Sequence, residues 1–487
     1  MTAFSPTAAH RRFICGAGNL SILYCDPLRQ IPGPVLARWT PLWLGYQARM
    51  GRRYLAVDMA HKKYGPIVRI APNHVSVAHP DAVGIVYGHG ESTFDKSKFY
   101  DAFVAGPPSV FSTTSRRDHA YKRRIVSQAF SYRALEQFSP FTRTKTNIVA
   151  FVSRLDAMCD TDRSIDLLMW LNYLTFDILS DLAFGEPLGM LASGTSRVTV
   201  QQSDGTVKEE DAIALVDGRE HLSAVLGISA WFPLFAKIIP DPFFAYGRRS
   251  STGVSDFARR NVSKRLDSGA HRQDILGKLI AARKRESKLD TEMIKELVAE
   301  TVTLLSAGSD TTASSVAALV YLVKTHPQVH RKLIAELEEG VGRQNIPTHR
   351  QVKDLAYLQA VIDEGLRHYA TMATGLPRLV PDGGVEFFGR RIPAGTEISV
   401  PAFTIQHEES IWGDPDVFRP ERWMQSPEKR KCLSRYLLTF GKGPRACLML
   451  ATLLLRYDMD LESENLDSTE GFVHKTKHLM MKLSRKF

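Results

Sequence analysis

The feature that most constrains the fold is a long helical pattern over residues 291–324, which His326-Pro327 brings to an end. At 1.5 Å per residue such a helix is about 50 Å long, enough to cross a whole domain. A second helix is predicted over residues 352–368, whereas strand patterns are few and short. The pattern therefore predicts a mainly α fold with small β-sheets, built round one long helix.

Short alternating runs locate the predicted strands. Residues 67–70 and 74–77 alternate and are joined by a turn, which predicts two paired strands. Residues 385–401, divided by glycine and proline turns, predict more short strands. Residues 118–182 have a helical pattern, and the polar residues 192–211 are predicted to form a surface loop.

Composition excludes several classes of protein. The 487 residues are 44% hydrophobic and 24% charged, as in an ordinary globular protein. The net charge of +11 suits an anionic membrane surface or an acidic partner, while the chain has no long basic run that would indicate nucleic-acid binding. The five cysteines are scattered, with no CxxC pair, which argues against a disulfide framework and against a zinc site.

The N-terminal residues 1–30 are predicted to be a segment with no convincing transmembrane anchor. Their apolar stretch, residues 13–24, is interrupted by polar residues and glycine and is shorter than the roughly 20 residues that span a bilayer. The rigid turn Ile31-Pro32-Gly33-Pro34 follows. Residues 31–487 are predicted to form a single catalytic domain.

A cysteine near the C-terminal end stands in an unusual context. Residues 440–447 read Phe-Gly-Lys-Gly-Pro-Arg-Ala-Cys, and the two glycines and the proline predict an irregular loop with free backbone N–H groups. Such a loop, together with the cation of Arg445, suits a buried thiolate at Cys447. For a single cysteine the ordinary alternative is a buried structural residue.

A polar motif interrupts the long helix. Residues 307–312, Ala-Gly-Ser-Asp-Thr-Thr, are mostly poor helix formers, and such a local conflict inside an apolar helix indicates a functional site. A transmembrane helix is the competing interpretation, since residues 302–323 carry a single acidic or basic side chain apart from histidine. That charge is Asp310 at the centre, and a carboxylate is costly inside a membrane.

Two further motifs complete a set of four. Glu364-Gly-Leu-Arg367 is by itself an ordinary ion pair three residues apart, and residues 418–423 read Phe-Arg-Pro-Glu-Arg-Trp. In this order and spacing, the four motifs resemble the cytochrome P-450 superfamily of haem-thiolate monooxygenases. The resemblance extends over roughly residues 28–487.

The resemblance implies the cytochrome P-450 fold, with the long central helix over the haem and a small β region on the N-terminal side. It implies haem b as cofactor, with Cys447 as the axial iron ligand in a loop that includes Phe440 and Arg445. Asp310 and Thr311 would deliver protons for oxygen activation. Further residues are assigned by the same resemblance: His119, Arg123 and Arg378 to the haem propionates, and Glu364, Arg367 and Arg422 to a structural charge triad.

The resemblance also implies partners and a location. Electrons would come from NADPH through a flavoprotein reductase, at the cytosolic face of the endoplasmic reticulum membrane, with peripheral membrane contact. The basic residues expected on the reductase-facing side are Lys122, Arg123, Arg124, Lys442 and Arg445.

Several stretches are similar to fungal benzoate 4-monooxygenases, namely residues 51–58, 173–185, 240–244, 375–381 and 418–423. This similarity implies para-hydroxylation of benzoate or a related small aromatic acid, with O₂ as co-substrate. The sequence does not identify the group that would hold the carboxylate.

The chain departs from the superfamily after Cys447. Met449 stands where a glycine is expected, and about a dozen residues, roughly three helical turns, are missing from the following helix. Such a loss is expected to remove packing beneath the haem and to distort the cysteine loop. The alternative hypothesis is therefore a haem-poor or catalytically impaired member, real or the product of a faulty gene model. A membrane or transport protein built round the long helix is the third hypothesis.

Overall fold

The computed structural model describes residues 26–88, 94–130, 144–161, 163–201, 205–268, 272, 274–284, 290–343, 346–438 and 444–486. Helices dominate these residues, and the strands form small sheets. The predicted mainly α fold with small sheets is confirmed.

The helices of the N-terminal half are α1 (Val35–Trp39), α2 (Leu42–Arg49), α3 (Arg53–Tyr64), α4 (Pro80–Tyr87), α5 (Arg116–Ala129), α6 (Thr144–Cys159), α7 (Leu167–Phe184), α8 (Met190–Ser193), α9 (Ala212–Leu226), α10 (Phe232–Ile238) and α11 (Pro242–Asp267). Those of the C-terminal half are α12 (Ile275–Lys284), α13 (Thr291–Gly308), α14 (Asp310–Thr325), α15 (Pro327–Val341), α16 (His349–Val352), α17 (Ala356–His368), α18 (Ala402–Gln406), α19 (Glu409–Trp412), α20 (Pro427–Ser434) and α21 (Pro444–Arg456). Two 3₁₀ helices span Lys98–Phe103 and Pro420–Trp423.

The strands are β1 (Ile67–Ala71), β2 (His74–Val77), β3 (Asp95–Lys96), β4 (Ile165–Asp166), β5 (Arg197–Gln201), β6 (Val207–Asp211), β7 (Arg378–Leu379), β8 (Val385–Phe387), β9 (Arg390–Ile392), β10 (Glu397–Ser399), β11 (Tyr457–Leu461), β12 (Ser468–Glu470), β13 (His474–Thr476) and β14 (Met480–Arg485). The largest sheet has the order β1-β2-β10-β7-β3, and β1 pairs antiparallel with β2 as predicted. A second sheet has the order β11-β14-β4. The remaining pairs are hairpins, of which β12–β13 matters most for the site.

The predicted long helix is present as two segments. Helix α13 ends at Gly308 and α14 begins at Asp310, so the break falls at Ser309, inside the polar motif. The hydroxyl groups of Ser309, Thr311 and Thr312 each donate to the carbonyl oxygen four residues earlier, at 2.7 to 2.9 Å. Side chains that bond in this way bend helices, which explains why the break lies where these residues are concentrated.

Two other expectations need correction. Residues 197–201 and 207–211 are paired strands, β5 and β6, instead of a loop, because Val198 and Val200 alternate with exposed residues and pack into the core. The predicted helix over residues 352–368 is divided into α16 and α17. Among the described residues α7 alone is long and apolar enough to cross a membrane, and 89% of it is buried inside the protein, as in a core helix.

Candidate active site

Cys447 lies inside a helix. Helix α21 begins at Pro444, and the Cys447 side chain is 7% exposed within the main hydrophobic core. Residues 444–447 are therefore helical and not part of an irregular loop, while residues 440–443 of the predicted loop lie outside the described residues. Proline is favourable at the start of a helix, and the apolar residues that follow, such as Leu450 and Leu454, are fully buried at helical spacing. In the structure Cys447 is therefore part of the apolar packing of α21.

The surroundings of Cys447 favour the neutral thiol. Burial raises the pKa of the Cys447 thiol to about 11, and the Asp363 carboxylate acts in the same direction. Phe440 and Lys442 lie outside the described residues, and the side chain of Arg445 is not described either. A bound metal ion would deprotonate such a thiol, since coordination outweighs the cost of burial.

Four basic side chains gather near Glu300 of α13, and we call them the cationic cluster: Lys96, His119, Arg123 and Arg378. Lys96 lies on β3 beside Arg378 on β7, with Lys96 directly opposite Arg378 in the sheet. The Lys96 ammonium donates to the carbonyl oxygen of Phe111 at 2.6 Å, and Arg378 donates to the Tyr100 hydroxyl at 2.5 Å. His119 and Arg123 approach from α5.

The members of the cationic cluster repel one another. Burial lowers the pKa of Lys96 to about 8, and Arg378 adds to this effect. Burial also lowers the pKa of His119 to about 4, assisted by Lys96, Arg123 and Arg378. Among the described residues, no carboxylate lies within 4 Å of any of the four. An anion with more than one carboxylate would relieve this repulsion, so the cluster fits a pair of propionates.

Lys96 was not predicted as a site residue. The segment around Lys96 contains no recognisable motif. The role of Lys96 depends on the pairing of β3 with β7, which no local sequence pattern indicates. Lys122 was predicted to lie on the exposed basic surface, and this prediction is wrong. It is buried and pairs with Glu296 at 3.4 Å, so it does not belong to an exposed basic face, whereas Arg123 and Arg124 on the same helix are exposed.

Asp310 is buried at the helix break and faces two other segments of the chain. Its carboxylate oxygen Oδ2 lies 3.7 Å from the Lys475 ammonium on β13, and Lys475 also pairs with Asp217 on α9. Burial and the nearby Asp217 carboxyl raise the pKa of Asp310 well above its ordinary value, although Lys475 opposes them. Burial therefore favours the protonated form of Asp310.

A cavity of about 220 Å³ opens beside Asp310. Its lining includes Asp217, Glu220, Asp310, Phe472 and Lys475. Thr311, the other predicted relay residue, is half-buried, and its hydroxyl donates to the Ala307 carbonyl oxygen at 2.7 Å. The two relay residues thus adjoin in sequence but make different contacts.

Four phenylalanine rings form an aromatic cluster near this cavity: Phe99, Phe103, Phe111 and Phe472. Neighbouring ring centroids are 4.6 to 5.6 Å apart for the pairs of Phe103 and Phe111 with each other and with Phe472. Met372 and Val473 pack with three of these rings in one hydrophobic group, to which Phe111 is attached. The cluster joins residues 99–111 to the β12–β13 hairpin and to the segment before β7.

The structure brings the predicted charge triad together. Arg367 donates to both Glu364 oxygens at 3.0 Å, and Arg422 donates to Oε1 at 2.9 Å. All three are at most 3% exposed, and the Trp423 indole adds a bond to Glu364 Oε2 at 2.9 Å. The triad fastens α17 to the 3₁₀ helix Pro420–Trp423.

A helix broken at a buried acid, a cluster of cations without a carboxylate partner and a buried cysteine are the parts of a haem-thiolate site. A family model described as Cytochrome P450 matches residues 32–483, and the chain belongs to this family. Members of this family are haem-dependent monooxygenases that receive electrons from a redox partner.

Curated relatives support the same class. Benzoate 4-monooxygenase bphA of Aspergillus niger is 37% identical over 94% of this chain and 93% of its own length. Cytochrome P450 monooxygenase ORF9 of Penicillium roqueforti is 32% identical over 91% of this chain and 86% of its own. Cytochrome P450 monooxygenase prhB of Penicillium brasilianum is 30% identical, with 87% and 84% covered.

The described residues fit the propionates of a haem more closely than they fit its iron. The cationic cluster provides the counter-charges that two propionates require. On the cysteine side, Cys447 has the right chemical type but lies in a helix among aliphatic side chains.

Proposed function

We propose that this protein is a haem-thiolate monooxygenase that hydroxylates a small aromatic acid, with benzoate at the para position as the first candidate. The similarity to benzoate 4-monooxygenase over nearly the whole chain carries the proposal. The aromatic cluster supports it, because phenylalanine rings pack well against a substrate ring in edge-to-face and offset arrangements.

Each candidate residue has a separate task in this proposal. Cys447 holds the haem iron, and the cationic cluster, which includes His119, Arg123 and Arg378, binds the propionates. Haem supplies the oxygen-activating chemistry when it is bound. The buried Asp310 carboxyl holds a proton beside the cavity and donates it, while Thr311 lies next to it at the helix break. Phe440 and Arg445 are assigned to the cysteine segment by resemblance alone.

Electrons in this proposal come from an NADPH-dependent flavoprotein reductase. The exposed guanidinium groups of Arg123 and Arg124 on α5 support it, because an acidic partner would be attracted to them. Lys442 and Arg445 remain predicted members of this basic surface.

Attachment to the endoplasmic reticulum membrane is part of the proposal, and an exposed apolar surface supports it. Helices α2 and α10 pack together, since Gly45 is pressed against the Phe232 ring. Both helices and their flanks carry large apolar side chains that are about half exposed or more: Trp39, Leu42, Tyr46, Trp231, Leu234, Phe235 and Ile238. An apolar surface with aromatic residues suits the interfacial layer of a bilayer.

The test of the catalytic proposal is product formation. The full chain, loaded with haem and supplied with NADPH and a flavoprotein reductase, is expected to convert benzoate to 4-hydroxybenzoate, identified by mass spectrometry and chromatography. Hydroxylation of other aromatic acids but not of benzoate would keep the enzyme class and change the substrate. Failure to hydroxylate any aromatic acid, in protein that carries its haem, would reject the proposed substrate class.

The position of Cys447 favours a second candidate function. Cys447 lies in a helix among aliphatic side chains, and burial raises the pKa of its thiol to about 11, so forming the thiolate would cost part of the free energy of haem binding and weaken the sulfur–iron bond. The absorption spectrum of the reduced, carbon-monoxide-bound protein separates the two functions. A red-shifted Soret band of the thiolate type supports the monooxygenase, and an ordinary or absent haem band supports the impaired member.

A further inference from the structure

Arg53, in the first turn of α3, is a buried cation whose hydrogen-bonding capacity is largely unused. The residue is 5% exposed, and its Nε and Nη2 atoms have no hydrogen-bond partner among the described residues. The nearest carboxylate oxygen, Glu470 Oε1, lies 3.6 Å from Nη2, beyond ordinary hydrogen-bond length. A guanidinium group buried in this way is costly unless an anion completes its bonding.

The buried Arg53–Glu470 ion pair accounts for only part of this arrangement. Glu470 is attached to α3 through the main chain: Tyr54 N–H donates to Glu470 Oε2 at 2.8 Å, and Glu470 N–H donates to the Gly51 carbonyl at 2.8 Å. Burial also raises the pKa of Glu470, which discourages the charged form. The positive charge of Arg53 is therefore only partly offset.

Arg53 also lies where a substrate ring could reach it. It lines a narrow cavity of about 20 Å³, together with Phe99, Thr374 and Pro377. This volume accommodates a group the size of one water molecule or one carboxylate oxygen. The guanidinium carbon is 5.9 Å from the centroid of the Phe99 ring, and Phe99 belongs to the aromatic cluster. The cation and the aromatic walls are thus neighbours.

We propose that Arg53 binds the carboxylate of an aromatic monocarboxylic acid whose ring lies against the aromatic cluster. The inference rests on the proposed aromatic-acid function and adds the group that recognises the acid. A guanidinium group matches a carboxylate with two parallel hydrogen bonds, and a neutral amide of the same shape cannot replace the charge.

Binding to the full-length, haem-loaded protein tests the assignment. Isothermal titration calorimetry compares benzoate with its neutral isostere benzamide, in the wild-type protein and in Arg53→Met. The substitution keeps the length of the side chain and removes the charge. We expect benzoate binding to weaken about tenfold or more, and benzamide binding to change by less than about twofold. Arg52→Met is the matched control, since Arg52 is the exposed neighbour, and it should change neither.

Glu470→Gln provides a second test, with an effect in the opposite direction. Removal of the competing carboxylate should tighten benzoate binding a few-fold, which a purely structural pair would not do. The double variant Arg53→Met with Glu470→Gln leaves no unpaired charge at the site, and it should still bind benzoate poorly and benzamide normally.

The outcomes separate the assignment from the function on which it rests. Unchanged benzoate affinity in Arg53→Met overturns the assignment and leaves the aromatic-acid function standing. Equal loss of benzoate and benzamide, in both the single and the double variant, shows a structural role and also overturns it. A wild-type protein that binds neither ligand rejects the proposed function together with the assignment.

Discussion

Burial sets the protonation state of the acidic side chains round the long helix. Glu300 on α13 and Glu220 on α9 both have a pKa raised to about 7, with burial as the largest cause, and burial also raises the pKa of Asp310 well above its ordinary value. At neutral pH this part of the molecule therefore retains protons that exposed carboxylates release. The effect has consequences for stability and for catalysis.

Glu300→Gln is expected to stabilise the protein at neutral and alkaline pH. The raised pKa of Glu300 means that its contribution to folding is complete below the unfolded value of about 4.5 and is lost as the pH rises through about 7. Glutamine keeps the acceptor for Val110 N–H and does not ionise. The difference in unfolding free energy, measured by urea denaturation, should grow by about 1 to 3 kcal/mol in favour of the variant from about pH 5 to about pH 8. A difference independent of pH would contradict the burial argument.

Asp310→Asn is expected to reduce turnover about a hundredfold, because the amide keeps the shape of the carboxyl and cannot transfer its proton. Benzoate affinity should stay close to that of the wild-type protein, since Asp310 holds a proton and does not bind the acid in this proposal. Steady-state kinetics with benzoate, together with the solvent isotope effect, measure the change.

The control for Asp310 is Thr312→Ala, which removes another hydroxyl of the same helix break. Thr312 donates only to the Gly308 carbonyl oxygen among the described residues. A similar loss of turnover in both variants would point to the helix break as a whole and away from the proton on Asp310.

At the scale of secondary-structure elements, α21 determines the surroundings of Cys447, and we propose that this helix lacks about three turns. We expect insertion of about a dozen helix-forming residues after Cys447, with glycine in the second position, to return the cysteine to a loop before the helix. The inserted chain should bind more haem and give a larger thiolate-type Soret band with carbon monoxide. The same insertion with Cys447→Ser is the control, and an unmodified chain with an equally strong band would contradict the expectation.

The charge triad also acts between secondary-structure elements, because it joins α17 to the 3₁₀ helix Pro420–Trp423. Glu364→Gln leaves Arg367 and Arg422 buried without their carboxylate, which is expected to cost about 3 to 5 kcal/mol of unfolding free energy. Thermal or urea denaturation measures the loss. Glu421→Gln is the control, since Glu421 lies in the same 3₁₀ helix but forms its ion pair with Lys332 at a more exposed position. Equal effects would show that the triad adds no special stability.

At the scale of the whole molecule, the apolar surface on α2 and α10 is the face that we propose contacts a membrane. Phe235→Ser combined with Ile238→Ser is expected to weaken binding to vesicles of phosphatidylcholine and phosphatidylserine about tenfold, because two exposed apolar side chains no longer enter the bilayer interface. Vesicle sedimentation measures the change. Val417→Ser removes an apolar side chain that is exposed elsewhere and should have no effect, so an equal loss there would argue against a defined membrane face.

The sequence-based predictions were accurate for features that depend on residues close together in the chain and failed for features that depend on distant residues. The long helix, the β1–β2 pair and the α17 ion pair depend on residues close together in the chain, and the structure contains all three, the helix as two segments that meet at Ser309. The β5–β6 hairpin was missed because its polar and small residues are typical of a loop. Only the packing of Val198 and Val200 against the core shows that they belong to a strand. Lys96, Arg53 and Lys475 were missed because each acquires its role only from partners far away in the sequence.

The sequence by itself determined the family, the mainly α architecture and the chemical types at the site, since short motifs with Cys447, Asp310 and Glu364 carry that information. The tertiary structure decided the surroundings and the bonding partners of those groups. It placed Cys447 in a helix, turned Asp310 toward Lys475 and left Arg53 buried with unused donors. The physical reason is that protonation and unsatisfied bonding depend on burial and on the distances between segments, and both are set only when the chain packs.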